Sequence, residues 1–494
     1  MKSGTRKALM AVALAALAAL SACGRKQGVF TVALNDDVII LDPHRHDDNL
    51  TDMVLDNIYD RLLEFDPDMR LAPSLATGWD NSDDLTWRFH LRPGVAFHDG
   101  RPLTADDVKF SLERAKNGPR GHYLGMVRAV NVVDDLTLEI VTNKPCPVLL
   151  NKLTFISIVP SGSPDTIVRP MGTGAYRFLA YRPGQEMDLE ANGSYWRGRP
   201  RIARVRLSFI DTDTLRLRAL DRGQAMLARE IDAKLLERAE HRKALRTASR
   251  PGLGVSLLGC TFAKGNPLAD LRVREAVYWG TDPGELSRYG FIGTEPADEL
   301  VSPYVIGYIK QEGAPRPQLD RARALLREAG YGQGFDVVLE MSSATARRVG
   351  RVLAAQLGRI GIRATVRGLD WREFNERVNR RQSPFFLIGW ACSSGDASDL
   401  LDACVHTARG TDFGNANWGG YSNPGLDNMI ERCHVLLRSD DRLEQLKRTM
   451  AATMADLPLI PLYAHGNGYS YHSRVKFAPR VDGKIVLREL DWQP

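Results

Sequence analysis

The sequence predicts an α/β protein built from more than one domain. Three observations support this prediction. The chain has 494 residues, which exceeds the size of a single ordinary domain. Several short segments alternate apolar and polar residues, as half-buried strands do. The second half of the chain contains longer segments with apolar residues three and four positions apart, which is the spacing of helices that pack on a core.

Composition and charge are those of a folded protein without a nucleic-acid partner. Hydrophobic residues make up 44% and charged residues 26% of the chain, which argues against disorder. The formal net charge is +6, and Lys2, Arg6 and Lys7 contribute three of these charges. We expect that segment to be removed, which leaves about +3 dispersed among acidic residues and no basic stripe for nucleic acid.

The first 22 residues are organised like a bacterial signal peptide. The positively charged start MKSGTRK precedes the 13 apolar residues of Ala8–Leu20, whereas a membrane-spanning helix needs about 20. Leu20-Ser21-Ala22-Cys23 resembles a lipobox, which implies lipidation of Cys23. We therefore predict a signal peptide over 1–22, a lipidated linker over 23–29, and a periplasmic or extracytoplasmic protein attached to the membrane through Cys23. A secretory signal cut after Ala22 is the alternative.

Short strands predominate in the first half of the mature chain. One helix stands among them, because Thr104 is a favourable N-cap, Asp106 and Asp107 fall in the first helical turn, and Gly118 follows the last turn. The predicted strands are Val29–Leu34, the alternating part of Leu85–Phe97, Leu136–Val141 and Val205–Ile210.

The second half is more helical. We predict helices that begin near Asp270 and Asp320, and a longer helix whose apolar residues include Val349 and Ile360. After it, the strand IRATVRGL, the helix WREFNERVNRR and the strand PFFLIGW predict a parallel pair of strands with a right-handed crossover. Ligands of such sheets lie at the carboxyl ends of the strands, and the polar stretch GWACSSGDASDLLDAC begins there, at Gly389.

Motifs for catalysis and cofactor binding are missing from the sequence. We find no G-x-S-x-G, H-E-x-x-H, P-loop or dinucleotide-binding motif in a suitable context. Asp396 and Asp399 are three residues apart, but a carboxylate pair acts in catalysis only with the right facing geometry. His44 and His46 lie in an acidic segment, yet their spacing matches no fixed ligand set. We expect no enzyme activity, no cofactor and no metal.

Ordered matches over the mature chain identify a family. The most extensive match is RLAPSLATGWDNSDDLTWRFHLRPGVAFHDGRPLTADDVKFSLERA at Arg70–Ala115, and others include MGTGAYRF, NPLADLRVREAVYWGTD and GIRATVRGLDWREF. These segments resemble family 5 of the bacterial extracellular solute-binding proteins, the peptide- and nickel-binding components of ABC importers. The resemblance implies a type II periplasmic-binding-protein fold with two α/β lobes, a hinge, and an extra subdomain inserted near the N-terminus.

The resemblance also implies how the chain is divided. The hinge would be formed near Gly254–Phe262 and Tyr469–Val475, and the solute would be trapped when the lobes close on it. The expected units are lobe I from 30–50, 172–260 and 471–494, the inserted subdomain from 51–171, and lobe II from 261–470.

The expected binding residues follow from the dipeptide-binding members of the family. There, a Gly-Trp strand end and a following Gly-Asp-Pro-Asp stretch supply the acid that pairs with the ammonium group of the ligand. The resemblance therefore implies Asp396 as this acid and Trp390 as a wall of the pocket. Ala397 stands where the family has proline, and Asp399 is the alternative acid.

The other end of a peptide needs a cation. In the dipeptide binders an arginine precedes the long helix, which implies Arg347 here, with Arg348 beside it. A solvent-facing role for Arg347 is the alternative. We expect Trp418 and Tyr421 to form walls of the pocket, with burial in the core of lobe II as the alternative.

The five cysteines after Cys23 allow at most two disulfides. We expect a disulfide between Cys260 and Cys404, with Cys392 as another partner for either. Five buried, unpaired cysteines are the alternative.

The resemblance implies a monomeric, lipid-anchored component of an ABC importer that delivers a peptide-like solute to a permease and its ATPase. A nickel- or metal-chelate-binding importer component is one alternative. A surface signalling or chaperone-like lipoprotein that kept the fold is the other.

Overall fold

The computed structural model describes residues 28–232, 235, 244–290, 293–310, 316–410 and 413–493. The predicted signal peptide over 1–22 and the lipidation site Cys23 lie outside these residues. Within the described ranges, no helix has the length and apolar character that crossing a membrane requires.

Strands and helices alternate irregularly along the chain. The strands are β1 (Phe30–Leu34), β2 (Leu63–Phe65), β3 (Leu71–Pro73), β4 (Ala76–Asp83), β5 (Thr86–Leu91), β6 (Val127–Asp134), β7 (Thr137–Thr142), β8 (Tyr176–Arg182), β9 (Glu186–Ala191), β10 (Arg204–Phe209), β11 (Leu227–Arg229), β12 (Leu245–Cys260), β13 (Glu295–Pro296), β14 (Phe335–Ser342), β15 (Ile362–Leu369), β16 (Phe385–Ala391), β17 (Leu459–His472), β18 (Val475–Lys476) and β19 (Asp491–Trp492).

The helices are mostly short and lie against the strands. They are α1 (Asn49–Leu55), α2 (Ala105–Lys116), α3 (Leu149–Leu153), α4 (Asp213–Asp221), α5 (Leu271–Gly280), α6 (Pro283–Ser287), α7 (Leu319–Glu328), α8 (Ser343–Thr345), α9 (Arg351–Arg359), α10 (Trp371–Asn379), α11 (Ser398–Leu400), α12 (Pro424–Cys433) and α13 (Ser439–Asp456). Two π-helical turns, Ala346–Gly350 and Leu401–Val405, follow α8 and α11.

One large mixed sheet runs through the molecule in the order β15-β14-β16-β12-β17-β11-β1-β10-β9-β8. In its first half, β1 pairs in parallel with β10 and β11. In its second half, β14 pairs in parallel with β15 and β16. The carboxyl ends of these last three strands therefore meet at one edge of the sheet.

The long antiparallel pair β12–β17 joins the two halves. Its register runs from Leu245 opposite His472 to Gly259 opposite Leu459, with an irregularity between Pro251 and Val255. A bulge is one of the few places in a sheet where proline is tolerated. On one side of this irregularity β17 also pairs with β11, so that part of the pair belongs to the first half of the sheet. On the other side β12 also pairs with β16, so that part belongs to the second half.

A second sheet, in the order β4-β5-β7-β6, packs against α2 around its own apolar core. The helix begins as predicted, because Thr104 is the N-cap and the Asp107 carboxylate accepts the Thr104 backbone N–H at 2.9 Å. Asp106 and Asp107 are thus helix N-terminal acids. This sheet lies within the predicted inserted subdomain, whose boundaries stay a prediction.

Two features of the second half differ from the prediction. The strands β15 and β16 are parallel but not neighbours, because β14 lies between them. The long predicted helix contains the π-turn at Ala346–Gly350. Such a turn holds an extra residue, so the side chains before it are rotated relative to those of an uninterrupted α-helix.

The predicted disulfide between Cys260 and Cys404 is wrong. Both cysteines are free, as are Cys146, Cys392 and Cys433, and all five are buried. Cys260 lies in the core with Leu258 and Phe385, whereas Cys404 lies in the core with Leu257 and Phe386. Alternate residues of a strand point to opposite faces, so the sheet separates the two thiols. The alternative of buried, unpaired cysteines is confirmed.

Candidate functional site

Two cavities meet at His465, close to the junction of the sheet halves. The first, which we call the cleft cavity, has a volume of about 260 Å³. Its lining includes residues of α1 and of the C-terminal segment, Gly252–Gly254 of β12, Ala391 at the end of β16 and Ser393 after it. It is therefore built jointly by both halves of the sheet, as a solute site that closes around its ligand would be.

Ionic groups that bind one another form a wall of the cleft cavity. The Asp52 carboxylate lies 2.6 Å from Arg61, 2.6 Å from Arg120 and 2.7 Å from Lys484. Burial alone would raise the pKa of Asp52, but the charges of Arg120, Arg61 and Lys484 outweigh it and hold the pKa well below its ordinary value. Asp56 completes the group and lies 2.6 Å from Lys484. These charges stabilise the wall.

The second cavity, which we call the strand-end cavity, has a volume of about 240 Å³. It lies at the carboxyl ends of the parallel strands, where Ser342 ends β14, Trp371 follows β15 and Gly389 is near the end of β16. Arg348, from the π-turn, also lines it.

His465 of β17 lines both cavities. Its ring lies over two glycines, since a Cβ atom on Gly254 would be 3.1 Å from Nδ1 and a Cβ atom on Gly389 would be 3.1 Å from Cε1. Ser256 Oγ is 2.8 Å from Nε2. The side chain is open to the cleft but deep in the protein, and the loss of hydration lowers its pKa. The ring is thus a polar group between the two cavities.

Arg348 connects the two sides of the cleft. Its guanidinium lies 3.5 Å from the carboxylate of Asp232, just after β11 in the first half of the sheet. Both side chains are about one-third exposed, at 31% and 32%. At that exposure an ion pair is weak.

The structure places Asp396 away from both cavities. Its side chain is buried, and its two oxygens accept hydrogen bonds from Arg442 at 2.6 and 2.9 Å. Burial alone would raise the pKa of Asp396, but the charge and hydrogen bonds of Arg442 outweigh it and lower the pKa. The geometry therefore corrects the expected role, because a carboxylate with a buried bidentate partner is not open to an ammonium group.

Asp399 occupies a different environment in the same loop. It is half-buried, and one carboxylate oxygen accepts the Ser394 backbone N–H at 2.9 Å. Burial raises its pKa to about 6, and the nearby charge of Asp396 contributes to the rise. Ser394 O in turn accepts a hydrogen bond from Asn151 at 2.8 Å, so Asp399 supports a contact between this loop and the segment that bears α3.

The remaining expected site residues lie in the core or on the surface. Trp390 packs edge-on against Trp418, with ring centroids 5.8 Å apart. Trp418 and Tyr421 are buried in the core, and the Tyr421 hydroxyl donates to Asp456. Arg347 is exposed. The described residues that line the two cavities do not include Trp390, Trp418, Tyr421 or Arg347. They do not include Asp396 or Asp399 either.

The alternation of β16 explains one difference. Trp390 shares a face with Phe386 and Ile388 in one core, so Ala391 points the other way, to the cleft cavity. The sequence shows this alternation, but it does not show which face of the strand borders a cavity. Glycines on the neighbouring strands indicate that the His465 side chain has space there. This pattern can be recognised only when the order of the strands is known.

No group of three or more residues suited to hold a metal ion occurs within the ranges described above. His44 and His46, which the sequence placed in an acidic segment, are buried, and His44 Nε2 lies 2.8 Å from Ser157 O. These histidines serve the local packing.

Comparisons with known proteins agree with this architecture. The family model described as bacterial extracellular solute-binding proteins, family 5 Middle, matches residues 70–412. Heme-binding protein A of Haemophilus influenzae is 26% identical over 470 residues, which cover 87% of this chain and 84% of the relative. The glutathione-binding protein GsiB of Pectobacterium atrosepticum is 29% identical over 454 residues, which cover 87% of each chain.

A solved structure shows the same fold. The periplasmic binding protein DppA of Helicobacter pylori, in complex with the peptide STSA, superposes with a TM-score of 0.78 at 22% identity. The match covers 94% of this chain and 98% of the other. The predicted type II periplasmic-binding-protein fold is thereby confirmed.

The buried ion pair yields a stability prediction. Replacing Arg442 with methionine leaves the Asp396 carboxylate buried without its partner, so we expect the free energy of unfolding to fall by about 3–5 kcal/mol. The double variant Asp396→Leu/Arg442→Met should recover most of that loss. Urea unfolding measures both, and Arg448→Met, which removes an exposed pair with Glu444 of the same helix, is the control with a far smaller effect. A double variant as unstable as the single one would contradict the pairing.

The raised pKa of Asp399 yields a pH prediction. The folded protein holds this proton more tightly than the unfolded chain does. The free energy of unfolding therefore falls as the pH rises from about 4 to about 6 and the proton is lost, and this loss of stability remains above pH 6. We expect Asp399→Asn to stabilise the protein by ~1–3 kcal/mol at pH 7.5 and by little at pH 4. Thermal unfolding at the two pH values measures the difference. Equal effects at both would show that Asp399 is not the titrating group.

Proposed function

Because the chain belongs to family 5 of the bacterial extracellular solute-binding proteins, which serve ABC importers and are not enzymes, we propose that it captures a peptide-like solute. The solute enters the junction of the two sheet halves and is delivered to the membrane permease. The closed form traps it, and the balance between open and closed forms shifts by the difference in affinity for them. The protein acts as a monomer.

The observation that carries this proposal is the paired arrangement of the two cavities around His465. The cleft cavity is lined by Gly252–Gly254, the part of β12 at which its register with β17 is interrupted, and the backbone of such a segment suits hydrogen bonds to a peptide backbone. The strand-end cavity contains the cation of Arg348, which suits a carboxylate. The relatives bear on the solute class too, since one is named for glutathione and another is bound to a peptide.

Attachment to the membrane is part of the proposal. The lipobox-like Leu20–Cys23 supports cleavage before Cys23 and its lipidation, which would keep the protein close to its permease. We expect metabolic labelling with a fatty acid in the native host to mark the wild-type protein but not the Cys23→Ala variant. Equal labelling of both would place the lipid elsewhere, and release of unlabelled wild type would support the secretory alternative.

Native mass spectrometry of protein from its own host identifies a retained solute directly. A peptide mass supports the proposal. A stoichiometric nickel or metal-chelate mass would replace it with the metal-importer alternative. The lack of a cognate permease in the same operon would favour the signalling alternative.

A pair of neighbouring arginines provides a matched test. Arg348 lines the strand-end cavity and Arg347 does not. We expect Arg348→Ala to weaken the binding of dipeptides with a free carboxylate by tenfold or more in calorimetry, since a lost charge-assisted hydrogen bond costs roughly 1.5–3 kcal/mol. Binding of the corresponding peptide amides should change little, and Arg347→Ala should leave both unchanged. Loss of affinity for acid and amide forms alike would remove Arg348 from the carboxylate site.

A further inference from the structure

The strand-end cavity leaves two large aromatic side chains exposed at its wall. Trp371 is 62% exposed and Tyr289 is 40% exposed. The other large apolar side chains that are exposed within the described ranges do not line either cavity, whereas these two line the strand-end cavity. Exposed aromatic surface in a concave site, rather than scattered singly, is a mark of ligand binding.

Both aromatic residues are held in place by their local structure. Trp371 is the first residue of α10, whose N-cap Asp370 accepts the Glu373 backbone N–H at 3.0 Å. Its ring packs against that of Phe374, one turn on, with centroids 6.1 Å apart. The Tyr289 backbone N–H donates to Leu286 O at 3.1 Å. The local hydrogen bonds therefore set the backbone positions from which both rings extend, and Phe374 supports the ring of Trp371.

Apolar residues form part of the lining of the strand-end cavity behind these rings. Leu387 and Ile388 of β16, together with Phe374, line it, and Gly389 contributes no side chain that would fill it. The volume of about 240 Å³ exceeds the roughly 150 Å³ in which a buried apolar cavity holds benzene. A phenyl or branched aliphatic group therefore fits, together with a small polar group.

Among the described residues, the lining of the strand-end cavity contains a positive charge and no carboxylate. Arg348 supplies a cation, and no aspartate or glutamate is found in the lining as the structure describes it. Asp232, from the other half of the sheet, lies 3.5 Å from Arg348. The cleft cavity differs, because its wall contains both signs, bound to one another. The strand-end cavity thus favours an anionic group beside an apolar one.

We propose that the strand-end cavity selects solutes that end in a large apolar or aromatic residue, with that side chain between Trp371 and Tyr289 and its carboxylate at Arg348. This inference rests on the proposed function, because it names the class of peptide that the same site prefers. The remainder of the solute continues past His465 into the cleft cavity, which places few demands on its side chains.

The test compares ligands that differ only in the final side chain. Calorimetry with Ala-Phe, Ala-Leu and Ala-Gly should show the first two binding roughly ten- to a hundredfold more tightly than Ala-Gly, in proportion to the apolar area buried. Trp371→Ala should remove about tenfold or more of this preference. Trp371→Phe should retain most of the preference, and Ile39→Ala, which alters an exposed apolar residue outside the cavities, should retain all of it.

A non-peptide probe separates the two proposals. The same variants are titrated with 3-phenylpropanoate, which carries the apolar group and the carboxylate alone. Peptides that bind without regard to the last side chain would overturn the inference and leave the proposed function intact. Binding of 3-phenylpropanoate that depends on Trp371, without any binding of peptides, would support the inferred pocket and overturn the peptide function. If neither peptides nor 3-phenylpropanoate bind, both proposals fall.

Discussion

The antiparallel pairing of β12 with β17 is the constraint on which the rest of the structure depends. These two strands are the passage from one half of the large sheet to the other, and their register shifts between Pro251 and Val255, where the halves meet. An irregularity bends and twists a strand. The sheet therefore cannot close into one flat layer at that point, and the two cavities lie around it.

Two glycines and a histidine shape this crossing. Gly254 and Gly389 leave the space in which the His465 ring lies, since a Cβ atom at either position would be 3.1 Å from the ring, a tight contact. The ring then divides the junction into a cavity bounded by mutually bound charges and a cavity bounded by aromatic rings and one guanidinium. A ligand that crosses the partition encounters two different chemistries, which is how one site can tolerate variety at one end and select at the other.

Two ionic arrangements stabilise the structure around the cavities through charges that bind one another. Asp52 binds three cations at the side of the cleft cavity, and Asp396 binds Arg442 beneath the loop after β16. Breaking such a buried arrangement is costly, because it leaves a charge without a partner in a poorly hydrated place. The loop that contains Cys392 and Cys404 is thus positioned by the Asp396–Arg442 pair and not by a disulfide. The loop region borders the cleft cavity at Ala391 and Ser393.

The sequence by itself determined the family, the fold class and most of the elements, because these depend on local patterns. Thr104 with Asp107 marks a helix start, and Val349, Leu353 and Leu357 mark a buried helical face, whatever the rest of the chain does. Only the tertiary structure decided the site. Whether Arg347 or Arg348 reaches the cavity depends on a π-turn, and whether Asp396 meets a ligand or Arg442 depends on a helix 46 residues further along the chain. The presence of β14 between β15 and β16 and the partition made by His465 likewise arise from long-range pairing, which leaves no periodic trace in the chain.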